Sequence, residues 1–476
     1  MYDLVVIGAG PGGYVAALRA AQLGAAVAVV ERDKLGGCCL NRGCIPTKAL
    51  VRAAEVYTTV KDAGTFGTGL AGGAEAVSLD MPAVMARKRQ VVAQLVGGVE
   101  RLLGSAGVTV HMGTASVAGP GKVAVAKAGG GTEVLDTKYI LLATGSQPAQ
   151  PPVPEEDLAH TIGSDEALEL EEVPPSMLVI GGGVLGVEFA CIYGAFGSDI
   201  RMIKRTPNLL PAVDEEIAKR LAMSLKKRGM QVNTGVFTKR IEKTSAGKVV
   251  ICDTADGGEA RFEAHTVMVA MGRVPDFGGI DLGAMGVESD RRGIRVDDRM
   301  RTTARNVYAI GDAVGRTYLA SVASAEGIVA VEDMFAEHKR DMDYRVVPGV
   351  VFSNPECASV GLDEKDALEQ AAASGREVVV SKFPFTANGK AIAMGETEGL
   401  VKLVADKTSG ELLGMHVMGP HASDLIHEGA IALRARMTGE DLARIVFAHP
   451  TLSETVMEAA HGVHGQPLHL ASVRRR

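Results

Sequence analysis

Three of the chain's six cysteines fall within seven residues, in Gly36-Gly37-Cys38-Cys39-Leu40-Asn41-Arg42-Gly43-Cys44-Ile45-Pro46-Thr47-Lys48. The others, Cys191, Cys252 and Cys357, are scattered through apolar contexts, which is not the dense pattern of a secreted disulfide framework. No histidine adjoins the cluster and no second cysteine pair follows at zinc-finger spacing, so redox chemistry is favoured over metal ligation and no metal is expected. On a regular helix Cys39 and Cys44 would have Cα atoms roughly 8 Å apart, beyond the ~7 Å that a disulfide tolerates. Bridging them needs a distorted turn, which Gly43 permits. So short a loop gains little stability through chain entropy, so the pair reads as a redox centre rather than a staple. The bland alternative is two unreactive buried thiols.

A second set of residues suits a dinucleotide. Leu4-Val5-Val6-Ile7-Gly8-Ala9-Gly10-Pro11-Gly12-Gly13 is an apolar strand running into GxGxxG. There Gly8, Gly10 and Gly13 let backbone approach a pyrophosphate, and the following helix offers N–H groups and a positive dipole end. Glu31 stands where a carboxylate accepts both hydroxyls of an adenosine ribose. The same frame returns at Met177-Leu178-Val179-Ile180-Gly181-Gly182-Gly183-Val184-Leu185-Gly186. From Gly8 to Gly24 is 16 residues, as from Gly181 to Gly197; from Gly8 to Glu31 is 23, as from Gly181 to Lys204. In the second frame Lys204 and Arg205 replace the acid. Cations there favour a 2′-phosphate, so the cofactor is NAD or NADP. A solvated basic turn is the alternative.

These residues need elements to carry them. Each frame predicts strand, helix and strand, and each is followed by a hairpin and a closing strand: Gly121–Thr132 with Tyr139–Gly145, and Gly247–Gly258 with Thr266–Gly272. One GxGxxG is a weak signal, but two in matched frames predict two Rossmann-like dinucleotide-binding domains in an α/β chain. Gln147–Pro154 is a stiff proline-rich linker. Beyond Arg345 the texture changes: Leu400–Asp406 and Leu412–Met418 read as paired strands. Ser423 or Asp424 would cap a helix running to Ala435, and short helices follow near Gly439–Phe447 and Ser453–Gly462. The expected organisation is 1–147 and 276–345 for one dinucleotide domain, 148–275 for the other, and 346–476 for an α+β domain. The Arg474–Arg476 tail reads as a solvated end.

Composition narrows the function. A net charge of −7 over 476 residues argues against a nucleic-acid partner. No apolar run approaches the ~20 residues a membrane span needs, and the N-terminus lacks the basic and apolar regions of a signal peptide. A cytoplasmic protein is expected.

The stretch Gly36–Lys48 resembles the redox segment of the flavoprotein disulfide reductases, the class I pyridine nucleotide-disulfide oxidoreductases, and most closely their dihydrolipoamide dehydrogenase branch. Further resemblances follow in order: Ala143-Thr144-Gly145-Ser146, the second GxGxxG with Glu188, Gly272-Arg273, Tyr308–Ala313 and His449-Pro450-Thr451-Leu452-Ser453-Glu454. The resemblance implies that Gly8, Gly10, Gly13, Glu31, Gly113, Thr144, Gly145, Ser146, Asp312 and Ala320 hold FAD. It places Lys48 and Glu188 as an ion pair beside the flavin. Gly181, Gly183, Gly186, Lys204, Arg205 and Gly272 would serve the nicotinamide nucleotide. It makes Cys39 the sulfur that exchanges with substrate, Cys44 the sulfur nearer the flavin, His449 the base and Glu454 its orienting carboxylate. It also implies a homodimer, with His449 reaching the cysteine pair of the other subunit, and a lipoyl-bearing protein in trans as substrate. His461, His464 and His469 receive no role.

Three departures from the family pattern stand out. Cys38 replaces a usual threonine, Ser321 replaces a frequent histidine, and Lys204-Arg205 replaces the acid expected of an NAD site. An NADPH-dependent reductase of a small disulfide, like glutathione reductase, is therefore the second reading. A non-catalytic FAD scaffold is disfavoured, because both redox cysteines and His449 are present.

Overall fold

The computed structural model describes residues 1–69, 71–245, 247–465 and 467–470; the Arg474–Arg476 tail lies outside the described residues. The chain divides into two compact units. One comprises Met1–Pro151, Ile162–Val173 and Val269–Asp343; the other comprises Pro152–Thr161, Pro174–Met268 and Tyr344–Arg476.

In the first unit, strand Tyr2–Ile7 runs parallel to Val27–Glu31 on one side and to the end of Thr132–Leu142 on the other. Thr109–Met112 and Val307–Ala309 extend this parallel layer within a seven-stranded sheet. Its central strands are continuous apolar runs because both faces are covered. Strand Thr132–Leu142 serves twice: Thr132–Asp136 pairs antiparallel with Lys122–Ala126, while the stretch from Thr137 onward joins the parallel layer. Helix Pro11–Gln22 opens with Gly10 as its N-cap and Pro11 in its first turn, where a missing N–H costs nothing. Helix Ala320–Phe335 crosses it at glycines: a Cβ on Gly12 would lie 2.9 Å from the Ala323 oxygen, and one on Gly327 2.7 Å from the Gly12 oxygen. The long helix Met81–Ser105, which the sequence patterns did not mark, is capped by Asp80 accepting the Ala83 N–H at 3.0 Å. Its buried Lys88 donates to the Leu168 carbonyl and to Glu169, each at 2.5 Å.

The second unit holds a parallel sheet in the order Gln231–Thr234, Asp199–Lys204, Ser176–Ile180, Thr266–Val269, beside an antiparallel meander of Val236–Thr244, Gly247–Thr254 and Glu259–Ala264. It also holds a five-stranded antiparallel sheet, ordered Gly349–Val351, Glu356–Gly361, Leu412–Gly419, Leu400–Asp406, Val378–Pro384. Val401, Leu403, Val417 and Phe383 of that sheet form one core with Ile426 and Val456 from helices Ala422–Arg434 and Glu454–Val463. The hairpin expected at Leu400–Met418 is present. The helix after it starts differently: its N-cap is His421 at φ +53, and neither Ser423 nor Asp424 caps it. Glu356, from the neighbouring sheet, accepts the Ser423 N–H at 2.9 Å, so a distant carboxylate does the work of a local cap. The architecture is α/β, with two Rossmann-like folds and a C-terminal α+β region. No helix among the described residues is long and apolar enough to cross a membrane.

Candidate active site

Both glycine loops follow one steric rule. A Cβ on Gly13 would lie 1.9 Å from the Gly8 oxygen and 3.3 Å from Val6 Cγ1; one on Gly186 would lie 2.7 Å from the Gly181 oxygen and 3.2 Å from Val179 Cγ1. The middle glycines, Gly10 and Gly183, have no described atom within 4 Å of that position. Each loop is thus packed tight at its third glycine and open at its second, where helix N–H groups face outward. Gly8, at φ +104, could not carry a side chain without meeting the Ala143 oxygen at 2.3 Å.

Glu31 ends the second strand of the first unit. Its Oε2 accepts the Ala9 N–H and its Oε1 the Asp33 N–H, both at 2.8 Å. Each oxygen keeps a lone pair for a ribose hydroxyl. Gly113 donates its N–H to the Glu31 carbonyl at 2.8 Å, and packing against the Ala126 oxygen leaves no room there for a side chain. Thr144 carries a buried hydroxyl oxygen with no hydrogen-bond partner among the described residues. A buried orphan of this kind calls for a ligand.

Beside it, the Ser146 hydroxyl donates to Asp312 Oδ2 at 2.5 Å and accepts from Arg273 Nε at 2.7 Å; Arg273 Nη2 also donates to the Ser146 carbonyl at 2.6 Å. Burial pushes the Asp312 carboxyl up, opposed by Ser146 and Arg273. The Gly311 N–H donates to buried Glu326 at 2.6 Å, which fixes the turn that presents Asp312. Ala320 begins the helix that carries Glu326, and Gly145 sits at φ +79 with its carbonyl accepting the Asp276 N–H.

The cysteines sit on a broken helix. Gly37–Arg42 ends at Gly43, and Cys44–Lys61 begins immediately after it. Thr47 Oγ1 donates to the Gly43 carbonyl at 2.6 Å, and a Cβ on Gly43 would come within 3.1 Å of the Cys38 oxygen. The break brings the Cys39 and Cys44 side chains into hydrogen-bond contact; that bond and then burial push the Cys39 thiol far up. Cys38 is also pushed up, chiefly by burial, with Arg273 opposing. Burial, and then the charge of Cys39, raise Tyr14 as well. Asn41 Nδ2 donates to the carbonyls of Leu35 and Gly37, both at 2.9 Å. The segment is seated on the first glycine loop: Gly36 donates to the Ala9 carbonyl at 2.9 Å, and a Cβ on Gly37 would lie 2.7 Å from Gly10 Cα. Lys48 lies half-buried one turn into the second helix.

In the second unit Glu188 is fully buried on helix Val184–Phe196 and accepts the Phe352 N–H at 3.0 Å. Lys204 folds back over its glycine loop: a Cβ on Gly182 would lie 2.7 Å from Lys204 Cδ, and Nζ donates to the Asn208 carbonyl at 2.6 Å. Burial pulls the Lys204 amine down. Arg205 lies over the Phe237 ring, 5.1 Å from its centroid. Gly272, at φ +95, belongs to the first unit, where its carbonyl accepts the Ala149 N–H.

His449 Nδ1 stands 2.8 Å from Glu454 Oε1, and Glu454 Oε2 accepts the Thr451 N–H at 2.8 Å. Burial pushes Glu454 up, but those two hydrogen bonds outweigh it and hold the carboxyl below its ordinary range. An ionised carboxylate only accepts, so Nδ1 donates and Nε2 is left as the basic nitrogen.

Residues 2–327 match the family model described as pyridine nucleotide-disulphide oxidoreductase, and residues 347–460 match that family's dimerisation domain. The chain belongs to the pyridine nucleotide-disulphide oxidoreductase family. Dihydrolipoyl dehydrogenase of Bacillus subtilis is 41% identical, over 98% of this chain and 99% of that protein. The mitochondrial dihydrolipoyl dehydrogenase 1 of Arabidopsis thaliana is 39% identical, over 98% of this chain and 91% of that one. The crystal structure of LpdA from Mycobacterium tuberculosis superposes with a TM-score of 0.87 at 28% identity, covering 96% of this chain and 99% of that one.

Proteins of this family are flavoprotein oxidoreductases that use FAD and NAD(P), and the dimerisation domain supports a homodimer. The first unit fits FAD: an open second glycine at a helix N-terminus, a carboxylate at the strand end and a buried unsatisfied threonine hydroxyl. Two residues join this site that sequence reasoning did not assign. Arg273 was visible only as the neighbour of a motif glycine, and Glu326 only as one acid in a helical pattern; each acts through a contact made in the fold.

Proposed function

We propose that this chain is a dihydrolipoyl dehydrogenase: it oxidises protein-bound dihydrolipoamide to lipoamide and passes the electrons through a Cys39–Cys44 disulfide and FAD to NAD(P)+. The observation that carries this reading is the thiol pair placed across the Gly43 break and seated on the glycine loop at Gly10. The relatives named dihydrolipoyl dehydrogenase, matching end to end, support the substrate class.

In this reading His449 Nε2 takes a proton from a substrate thiol, because thiolates rather than thiols attack disulfides. Glu454 orients the imidazole and stabilises its cation. Cys39 forms the mixed disulfide with substrate and Cys44 faces the cofactor. FAD, when bound, would supply the two-electron chemistry that links the dithiol to the nicotinamide. Gly8, Gly10, Gly13, Glu31, Gly113, Thr144, Gly145, Ser146, Asp312 and Ala320 hold it. Lys48, with Glu188 as the counter-charge the resemblance implies, would supply positive charge to the flavin, where such charge stabilises the electron-rich states of the reaction. Gly181, Gly183, Gly186, Lys204, Arg205 and Gly272 receive the nicotinamide nucleotide.

The working assembly is a homodimer in which each His449 serves the other subunit's cysteines. A lipoyl-bearing protein in trans brings the substrate, and the setting is cytoplasmic. Residues 1–147 and 276–345 form the FAD-binding part, 148–275 the NAD(P)-binding part and 346–476 the interface domain. Lys204 favours a second reading, an NADPH-dependent reductase of a small disulfide. Steady-state kinetics with lipoamide and with glutathione disulfide, each with NADH and NADPH, separates the two. Turnover of lipoamide and not of glutathione disulfide is expected, and the reverse preference would overturn the assignment.

A further inference from the structure

One buried amide holds the turn that carries the proposed base. Asn388 follows the short turn Phe385–Ala387 at the end of strand Val378–Pro384 and caps helix Gly389–Met394, its Oδ1 accepting the Ala391 N–H at 2.9 Å. Capping uses only the side-chain oxygen. Both hydrogens of Nδ2 go elsewhere, one to the Thr451 carbonyl at 3.0 Å and the other to Thr455 Oγ1 at 2.9 Å. A backbone N–H only donates and a backbone carbonyl only accepts, so these partners fix which end of the amide is oxygen.

The two acceptors bracket Glu454. Thr451 is the residue whose N–H binds Glu454 Oε2 at 2.8 Å, and Thr455 follows Glu454 directly. Asn388 thus heads a run of direct contacts: its amide to Thr451, Thr451 to Glu454, and Glu454 Oε1 to His449 Nδ1 at 2.8 Å. The anchor itself is rigid. Asn388 is 4% exposed, Phe385 and Thr455 are fully buried, and a Cβ on Gly419 would lie 2.3 Å from the Phe385 ring. Ser453 is tied separately, its hydroxyl donating to Glu428 Oε1 at 2.6 Å. Capping alone does not account for an asparagine here. Serine and aspartate cap as well, and neither has two hydrogens to give.

We infer that Asn388 is a positioning residue for thiol oxidation: it sets the turn from Thr451 to Thr455 and, through it, the direction in which Glu454 holds His449. The inference rests on His449 being the base, as proposed above. A base must lie within hydrogen-bond reach of the proton it takes, and a small error in its placement lowers the rate more than it weakens binding.

The test uses Asn388→Ser and Asn388→Asp in the FAD-loaded full chain. Both keep an oxygen for the Ala391 N–H and remove both donors, the first without adding charge and the second with little change of shape. For dihydrolipoamide oxidation, kcat should fall by about tenfold in each, with KM within about twofold of the unmodified protein. NAD(P)H oxidation by an artificial acceptor, which bypasses the thiols, should be unchanged and serves as the check on folding. In a Glu454→Gln background the carboxylate is already lost, so adding Asn388→Ser should lower kcat by no more than about twofold. A further tenfold loss in that background, or loss of the acceptor activity as well, would make Asn388 a support of the fold. An unchanged kcat in both single variants would make it a cap alone; any of these overturns the inference. His449→Gln is assayed in parallel: thiol oxidation retained there would remove the underlying reading, whatever the Asn388 variants do.

Discussion

His449 and Glu454 are joined at 2.8 Å through Nδ1, and the second oxygen of Glu454 is taken by the Thr451 N–H at 2.8 Å. The carboxylate is held at both oxygens by groups within one short turn, so the imidazole is fixed in tautomer and direction before substrate arrives. Replacing His449 with Gln should lower dihydrolipoamide oxidation by at least ~10²-fold, as expected for a lost general base. Electron transfer from NAD(P)H to an acceptor at the flavin should persist. Equal loss of both rates would assign His449 to the fold or the dimer instead.

Cys44 provides a spectroscopic prediction. The reduced protein should show a long-wavelength band from charge transfer between a Cys44 thiolate and the oxidised flavin. Cys44→Ser should abolish the band with FAD still bound, whereas Cys39→Ser should retain it. A band that survives in Cys44→Ser would exchange the roles of the two sulfurs.

We predict that nucleotide choice turns on Lys204. Its ammonium rests on the Asn208 carbonyl, and Arg205 stacks on Phe237, so both cations must turn outward to meet a 2′-phosphate. One charge-assisted contact is worth about 1.5–3 kcal/mol, or roughly 10- to 150-fold in affinity. Activity with both nucleotides is expected, and Lys204→Glu should shift the kcat/KM ratio towards NAD by at least about tenfold. A ratio that stays within about twofold would leave Lys204 as a cover for Gly182 and nothing more.

A buried ion cluster makes a stability prediction. Lys402, 1% exposed, donates to Asp214 at 2.8 Å and lies 2.7 Å from Glu364. Burial pulls its amine down, but Asp214 and Glu364 outweigh this and hold it above 10.5; burial pushes Asp214 up, but Lys402 and its neighbours hold it below 3.8. A depressed acid stabilises above its unfolded pKa, and that contribution fades as pH falls through the folded value. A raised amine stabilises below its unfolded pKa, and that contribution fades as pH rises through the folded value. Lys402→Met should therefore cost about 3–5 kcal/mol near neutral pH, with the difference shrinking at both extremes. Thermal unfolding across pH measures this; a difference independent of pH would mean the lysine contributes packing alone.

What could be read from the sequence was whatever sterics or covalent chemistry demands locally. Gly13 and Gly186 were legible because no other residue fits against a backbone oxygen there, and Cys39 and Cys44 because few spacings of two thiols around a glycine make sense otherwise. Lys402 was not, because its partner Asp214 is 188 residues away, and a lysine inside an apolar strand reads locally as an error. Helix Met81–Ser105 went unmarked because its buried stripe is thin: only Met81, Met85, Lys88, Val99 and Leu103 are buried, and Gly97 and Gly98 interrupt the run. The His421 cap was illegible for a similar reason: its counterpart, Glu356, belongs to another element.

The seat of Gly37 upon Gly10 has a thermodynamic consequence. Oxidation or reduction of the cysteine pair changes the chain at one end of a rigid contact, and a diphosphate bound at the loop changes it at the other. Linkage makes such effects reciprocal: if closing the disulfide alters the grip on the cofactor by some factor, the cofactor alters the poise of the disulfide by the same factor. Cofactor dissociation measured in the two oxidation states should therefore differ, and widening the seat with Gly37→Ala should bring the two values together. One contact between two glycines thus ties cofactor retention to sulfur chemistry, and a single methyl group placed there is expected to part them.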